Sequence, residues 1–321
     1  MTEHGPPAEV VGTITIYGCG ALGGRLAVQF HEAGVPVQCL SRPGAHLESI
    51  KARGLLFRDG AGGTRRVPLR VYDDPSECPP AELLVVLVKS WQNADVAGNL
   101  PGLLKDDGFA LTLQNGLGNV EALRDHVPGG RFLAGSITYG AYRPEPGAVF
   151  SGGDGLIRFA PVTPGMDARG ALGLFREAGF NVELDEEPWR AIWAKVIVNA
   201  GINPVAALTR YSNAQTLASP FARKVAETLC REAVSVANAS GLDFDADEEW
   251  AGLQEILRQT SGNKPSMLQD IEAGNRTEIE AISGEIMRRG AAAGLETPFT
   301  TTLYNLVKAL EAGSAAGFGG R

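Results

Sequence analysis

The sequence predicts an α/β chain: an N-terminal doubly wound parallel sheet of Rossmann type, followed by an all-helical C-terminal domain. Three observations carry this. Short apolar runs alternate with helix-period segments through the first half of the chain. One of them, ELLVVLVK from Glu82 to Lys89, is nearly continuous in Leu and Val, as a strand buried on both faces requires. From about Glu186 the texture changes to long patterns of helical period.

In chain order, ITIYG (Ile14 to Gly18) reads as a strand, Ala21 to Ala33 as a helix, VQCL (Val37 to Leu40) as a strand, and ELLVVLVK as the next. FALTL from Phe109 and FLAGSIT from Phe132 continue the series. Val149 to Ala160, apolar at both ends around GGDG, reads as a hairpin that closes the domain. Helical patterns then cover 187–200, 220–240, 246–260, 265–293 and 298–312. The expected domains are 1–185 and 186–321. The ends, MTEHGPPAEVVG and GSAAGFGGR, read as loose tails.

Composition narrows the function classes. Hydrophobic residues make up 44% and charged residues 21%, ordinary for a soluble globular protein. Asp plus Glu number 37 against 29 for Lys plus Arg, a net charge of −8, which argues against nucleic-acid or anionic-membrane partners. An anionic substrate must therefore meet a locally basic site. No run of about 18 apolar residues indicates a membrane span, and the N-terminus lacks the basic and apolar regions of a signal peptide. Cys19, Cys39, Cys78 and Cys230 are scattered without metal-ligand or disulfide spacing, so reduced thiols, a cytoplasmic location and no metal are expected.

Gly18, Gly20 and Gly23 form GCGALG, the G-x-G-x-x-G spacing, here between a strand pattern and a helix pattern. In a dinucleotide site the first glycine permits the tight turn, the second lets backbone approach a pyrophosphate, and the third allows close helix packing. The loop residues Cys19, Ala21 and Leu22 belong to the same candidate site. After VQCL, where an NAD-preferring site carries Asp or Glu, stand Ser41 and Arg42. A cation there suits a 2′-phosphate, so NADP is expected. Lys89 and Gln92, in KSWQ, and Asn115, in QNGLG, leave strand ends at the edge where open α/β sheets bind ligands.

The segment WAKVIVNAGINP, Trp193 to Pro204, places Lys195, Asn199 and Asn203 four residues apart in otherwise apolar sequence. On a helix such positions fall within an arc of about 80°. The stripe is either the wall of a wet pocket or a snorkelling lysine beside two asparagines at a helix end. No histidine sits beside a candidate site carboxylate, so a carbonyl-protonating acid falls to Lys195, whose pKa partial burial lowers. In SMLQDIEAGNRTEIEAISGEI, Ser266 and Gln269 have capping-box spacing. Asp270 and Glu278, eight apart and about 80° from each other on a helix, either share a site-facing side or are solvated, as most carboxylates on such a helix are.

Through GCGALG, LVKSWQ, QNGLG, KVIVNAGINP and SMLQDIEAGNRTEI, the chain resembles the ketopantoate reductase family over nearly its whole length. The resemblance implies a Rossmann domain, a helical domain and a cleft between them, with NADPH reducing ketopantoate to pantoate for pantothenate synthesis. It implies that Lys195 is the general acid and Glu278 the acidic residue near the cofactor. Asn199, Asn203, Asn213 and Ser266 become substrate contacts, and Lys89, Asn115 and Ala141 cofactor contacts. Asn115 and Asp270 are also candidates for the substrate site. SITYGAYR, Ser136 to Arg143, departs from the family's Thr-rich segment. The expected partner is a small 2-keto acid, with the chain a monomer or homodimer. The neighbouring reading is an NAD-linked 2-hydroxyacid dehydrogenase acting on branched 2-keto acids, and a third is a non-catalytic NADP sensor.

Overall fold

The structure, a computed structural model, describes residues 12–315. All but Gly12 of the N-terminal tail and all but Gly313–Ala315 of the C-terminal tail lie outside the described residues. In the first part the elements run β1 (Ile14–Tyr17), α1 (Ala21–Glu32), β2 (Val37–Leu40), α2 (Ala45–Arg53), β3 (Leu55–Arg58), β4 (Thr64–Val67), β5 (Arg70–Tyr72), β6 (Ala81–Val86), α3 (Asn93–Leu103), β7 (Leu104–Thr112), α4 (Asn119–Leu123), β8 (Phe132–Ile137), β9 (Ala141–Tyr142), β10 (Ala148–Ser151), β11 (Ile157–Pro161), α5 (Arg169–Glu177) and β12 (Val182–Leu184). Helices follow: α6 (Pro188–Thr209), α7 (Asn213–Ala218), α8 (Pro220–Ala239), α9 (Ala246–Gln259), α10 (Ser266–Glu272), α11 (Glu285–Ala292) and α12 (Pro298–Ala315).

The main sheet has the order β12-β11-β8-β7-β6-β1-β2-β5. Its centre is parallel, with Ile14, Thr15, Ile16 and Tyr17 of β1 facing Leu83 to Val86 of β6 on one side and Val37 to Leu40 of β2 on the other. The Leu/Val run of β6 is buried on both faces, as its composition requires: Leu83, Leu84, Val85 and Val86 are all 0% exposed. Thr15 is also buried, and its hydroxyl accepts from Gln38 Nε2 at 2.9 Å.

A second sheet, order β4-β3-β10-β9, was not anticipated, and it corrects the expected hairpin at Val149 to Ala160. β10 pairs with β3 and β9, whereas β11 pairs with β8 and β12, so the GGDG segment crosses between sheets instead of reversing one ladder. Distant contacts override the local turn signal. The buried Arg25 guanidinium of α1 donates to the carbonyls of Gly140 and Gly153 and pairs with Asp154. A Cβ on Gly155 would meet Tyr139 N at 2.4 Å, so this backbone lies directly against the chain leaving β8.

In the second part α6 runs 22 residues, straight through Pro204. Proline removes one helical hydrogen bond, yet Val205, Ala206 and Ala207 beyond it are at most 3% exposed, and that burial outweighs the loss. α6 is long and apolar enough to cross a membrane by length and composition alone, but 72% of its apolar window is buried inside the protein, as in a core helix. Gly201 is the point of closest approach: a Cβ there would lie 2.6 Å from Leu253 of α9 and 3.2 Å from Ala226 O of α8.

The pattern over 265–293 is not one helix. α10 ends at Glu272 with Ala273 as C-cap; Gly274 follows with φ +67°, which suits a residue without Cβ, and Gly274 and Asn275 donate back to Ile271 and Asp270. A π-helical turn, Glu280–Gly284, then leads into α11. Asp270 and Glu278 therefore do not share a helix face.

The chain folds as two compact units. One comprises the chain up to Gln114 together with Val120–Pro188; the other comprises Asn115–Asn119 and the chain from Trp189 onward.

Candidate active site

In the first unit the glycine-rich turn joins β1 to α1. Gly18 has φ +112°, and a Cβ there would meet Val88 N at 2.6 Å. A Cβ on Gly23 would lie 2.0 Å from Gly18 O. Gly20 differs: a Cβ there meets nothing within 4 Å. Gly20 is the N-cap of α1 and offers no side-chain bond, and the first turn holds no acidic residue. Open space thus lies against uncapped N–H groups at a positive helix end, which fits a dinucleotide's pyrophosphate. Cys19 is 1% exposed, so its side chain belongs to the core and only its backbone is available. Ala21 and Leu22 are partly exposed on the first turn.

The ends of β2 and β6 flank β1 in the sheet. Arg42 follows β2 and is exposed; its Cζ lies 4.8 Å from the centroid of the Trp91 ring. Lys89 is partly exposed after β6, and Gln92 is buried, its N–H donating to Lys89 O at 2.9 Å. Sequence reasoning missed Gln114, whose Nε2 donates to Val88 O at 2.9 Å and to Asn93 Oδ1 at 2.8 Å. This buried network ties the segments after β6 and β7 together. Ala141 sits in β9, paired with Ser151, on the edge of the second sheet.

In the second unit Lys195, Asn199 and Asn203 lie on α6 at helical spacing, Asn203 only 4% exposed. Burial lowers the Lys195 ammonium from its ordinary 10.5 to about 8, while the Glu278 carboxylate pulls it upward. Glu278 is 6% exposed and accepts from Asn115 Nδ2 at 3.1 Å. The segment holding Glu278 is fixed from α12: Thr277 donates to Glu311 through both N and Oγ1, each at 2.7 Å. Sequence reasoning missed this support. Its only sign was an acid late in a helix, which is usually solvated.

The loop carrying Asn115 is clasped to the π-turn. Leu117 N donates to Ala281 O at 2.8 Å, and a Cβ on Gly116 would meet that oxygen at 2.5 Å. A π-turn displaces the normal helical ladder, and π-turns occur often at functional sites.

Asn213 is buried, with Nδ2 donating to Thr260 Oγ1 at 2.7 Å and Oδ1 without a hydrogen-bond partner. Ser266 is exposed at the start of α10 and Asp270 is partly buried in the same helix. The expected capping box is absent. Pro265 is the N-cap, so Ser266 is already helical, and Gln269 Nε2 donates to Lys264 O instead. Among the described residues no group of three or more His, Cys, Asp or Glu is arranged to hold a metal.

A Rossmann-type sheet whose β1–α1 turn has G-x-G-x-x-G spacing, and a helical unit bearing a lowered lysine beside a carboxylate, fit the class to which its relatives assign the chain, the nicotinamide-dependent oxidoreductases. Residues 14–164 match the family described as Ketopantoate reductase PanE/ApbA, and residues 188–311 match its C-terminal counterpart. The 2-dehydropantoate 2-reductase of Halobacterium salinarum is 34% identical over 92% of this chain and 97% of its own. A 2-dehydropantoate 2-reductase structure from Geobacter metallireducens GS-15 superposes with TM-score 0.85 at 30% identity, covering 92% of this chain and 99% of that one. The ternary structure of D-mandelate dehydrogenase with NADH and anilino(oxo)acetate superposes with TM-score 0.89 at 27% identity, over 94% and 99%. The chain belongs to the ketopantoate reductase family, whose reaction is the NAD(P)-dependent reduction of a 2-keto acid.

Proposed function

We propose that this protein uses NADPH to reduce 2-dehydropantoate to pantoate, serving pantothenate synthesis. The observation that carries the reading is Lys195: a lysine lowered to about 8 on the helix face that also presents Asn199 and Asn203. A general acid works best with a pKa near the working pH.

In this reading the turn from Gly18 through Cys19, Gly20, Ala21 and Leu22 to Gly23 holds the pyrophosphate, and Arg42 takes the 2′-phosphate. Lys89, Gln92, Asn115 and Ala141 complete the cofactor contacts. The nicotinamide, when bound, supplies the hydride that goes to the keto carbon. Lys195 Nζ donates a hydrogen bond to the keto oxygen, stabilises negative charge as it develops there, and then gives up its proton. Glu278 orients Lys195, and Asn115 holds Glu278. Asn199, Asn203, Asn213, Ser266 and Asp270 bind the polar groups of the substrate, and the unpaired Asn213 Oδ1 is an acceptor ready for a hydroxyl.

The test is Lys195→Ala in steady-state turnover and in NADPH binding. We expect kcat to fall by roughly 10² to 10⁴, the usual worth of a positioned acid, with NADPH affinity nearly intact. Turnover within about threefold of the parent would remove Lys195 from the mechanism. The second reading, NADH and another 2-keto acid, is favoured by the likeness to D-mandelate dehydrogenase with NADH, and Arg42 speaks against it.

A further inference from the structure

Arg42 and Trp91 reach one another from the two strands that flank β1, Arg42 after β2 and Trp91 after β6. The two side chains are unequal partners. Trp91 sits in a single 3-10 turn, Ser90–Gln92, next to Asn93, whose side chain is held in the buried Gln114 network. Arg42, by contrast, stands in the exposed turn SRPG, and among the described residues no carboxylate pairs with it. A guanidinium meets an aromatic ring with its face and an anion with its edge, so stacking and phosphate binding do not compete. A free arginine must give up rotamer freedom to hold a phosphate, whereas a stacked one has given up much of it already.

We infer that Trp91 is a positioning residue for the cofactor's 2′-phosphate, acting through the stack that aims the N–H edge of Arg42. Discrimination between the phosphorylated and unphosphorylated dinucleotide is then a property of the pair. This rests on the NADPH reading above. The indole touches neither the reacting atoms nor the phosphate; it sets where the cation waits.

The experiment measures kcat and KM for NADPH and NADH with the full chain and its Trp91→Ala, Trp91→Phe, Arg42→Ala and Trp91→Ala/Arg42→Ala variants. For Trp91→Ala we expect KM for NADPH to rise about three- to tenfold, the range of a partly exposed cation–π contact, with kcat and KM for NADH moved by less than about twofold. Trp91→Phe keeps an aromatic face and restores most of the NADPH preference. The double variant is no worse for NADPH than Arg42→Ala alone, because Trp91 acts through Arg42. Equal losses with both cofactors, or a Trp91 effect that persists without Arg42, would overturn the inference. If Arg42→Ala collapses the preference and Trp91→Ala does not, the inference fails while the NADPH reading stands. If Arg42→Ala leaves the NADPH preference unchanged, the inference falls together with the assignment of Arg42 to the 2′-phosphate; if the parent shows no preference for NADPH, the NADPH reading falls.

Discussion

At Lys195 the loss of water outweighs the pull of Glu278, and the ammonium titrates at about 8 instead of 10.5. The sequence left that contest open, because both effects follow from burial and proximity that only the fold supplies. A lysine with a lowered folded pKa destabilises the protein while charged. The unfolded chain binds the proton more tightly, so the cost is complete below about 8 and fades as pH rises towards 10.5. Its size at neutral pH is on the order of 1–3 kcal/mol. Lys195→Met, similar in length but uncharged, should therefore abolish turnover yet raise Tm at pH 7, the gain vanishing near pH 10.5. A lower Tm at pH 7 would mean that Lys195 is held by favourable contacts that compensate its burial.

Glu278 gives a second prediction at this scale. With Lys195 as acid, kcat/KM falls once pH passes about 8, and Glu278→Gln removes the charge that raises that value. The falling limb should move to lower pH in the variant; a limb that stays in place would mean that Glu278 does not act on the titrating group. The stripe of Lys195, Asn199 and Asn203 was legible because helical spacing is written in sequence. The relation of Glu278 to it was not, since Gly274 and the π-turn interrupt the pattern that seemed to carry Asp270 and Glu278 together. Likewise Pro265 displaced the capping box by taking the N-cap itself.

Among the elements, the turn between β1 and α1 shows how identical residues answer different demands. Gly18 and Gly23 are needed for the fold, since a Cβ would meet backbone at 2.6 and 2.0 Å, whereas Gly20 faces open space. Gly23→Ala should thus destabilise the protein by about 1–3 kcal/mol, read as a lower midpoint in denaturant. Gly20→Ala should leave that midpoint unchanged and raise KM for NADPH by about tenfold or more, since the methyl occupies the space against the helix N-terminus. The same loss of stability in both variants would show that the open space at Gly20 serves the fold. The central strands of the main sheet, β1, β2, β6, β7 and β8, were legible because strands buried on both faces leave near-continuous apolar runs; β5 and β12 at its two ends, short and partly exposed, were not. The second sheet was not: β3, β4 and β9 are two to four residues long, and β10 finds its partners through Arg25 and the Gly140 to Gly155 contacts, which no local pattern encodes.

For the whole molecule, the change of texture near Glu186 marked where the sheet gives way to helices. The exchange of Asn115–Asn119 into the helical unit went unseen, because its cause is a carbonyl at Ala281, far along the chain. Function at this scale is a choice of substrate. 2-Dehydropantoate carries a hydroxymethyl group where 2-ketoisovalerate carries a hydrogen, and a site that pairs that hydroxyl leaves a buried polar group unsatisfied with the shorter acid. The direct measurement is kcat/KM for both acids, each with NADPH and with NADH, followed by oxidation of the reduced cofactor. The expected result is a preference for 2-dehydropantoate of at least roughly 10² with NADPH, reduced in Asn203→Ala chiefly through loss with 2-dehydropantoate. Equal use of the two acids, or faster turnover with NADH, would contradict the assignment and make this chain a broader 2-keto acid reductase.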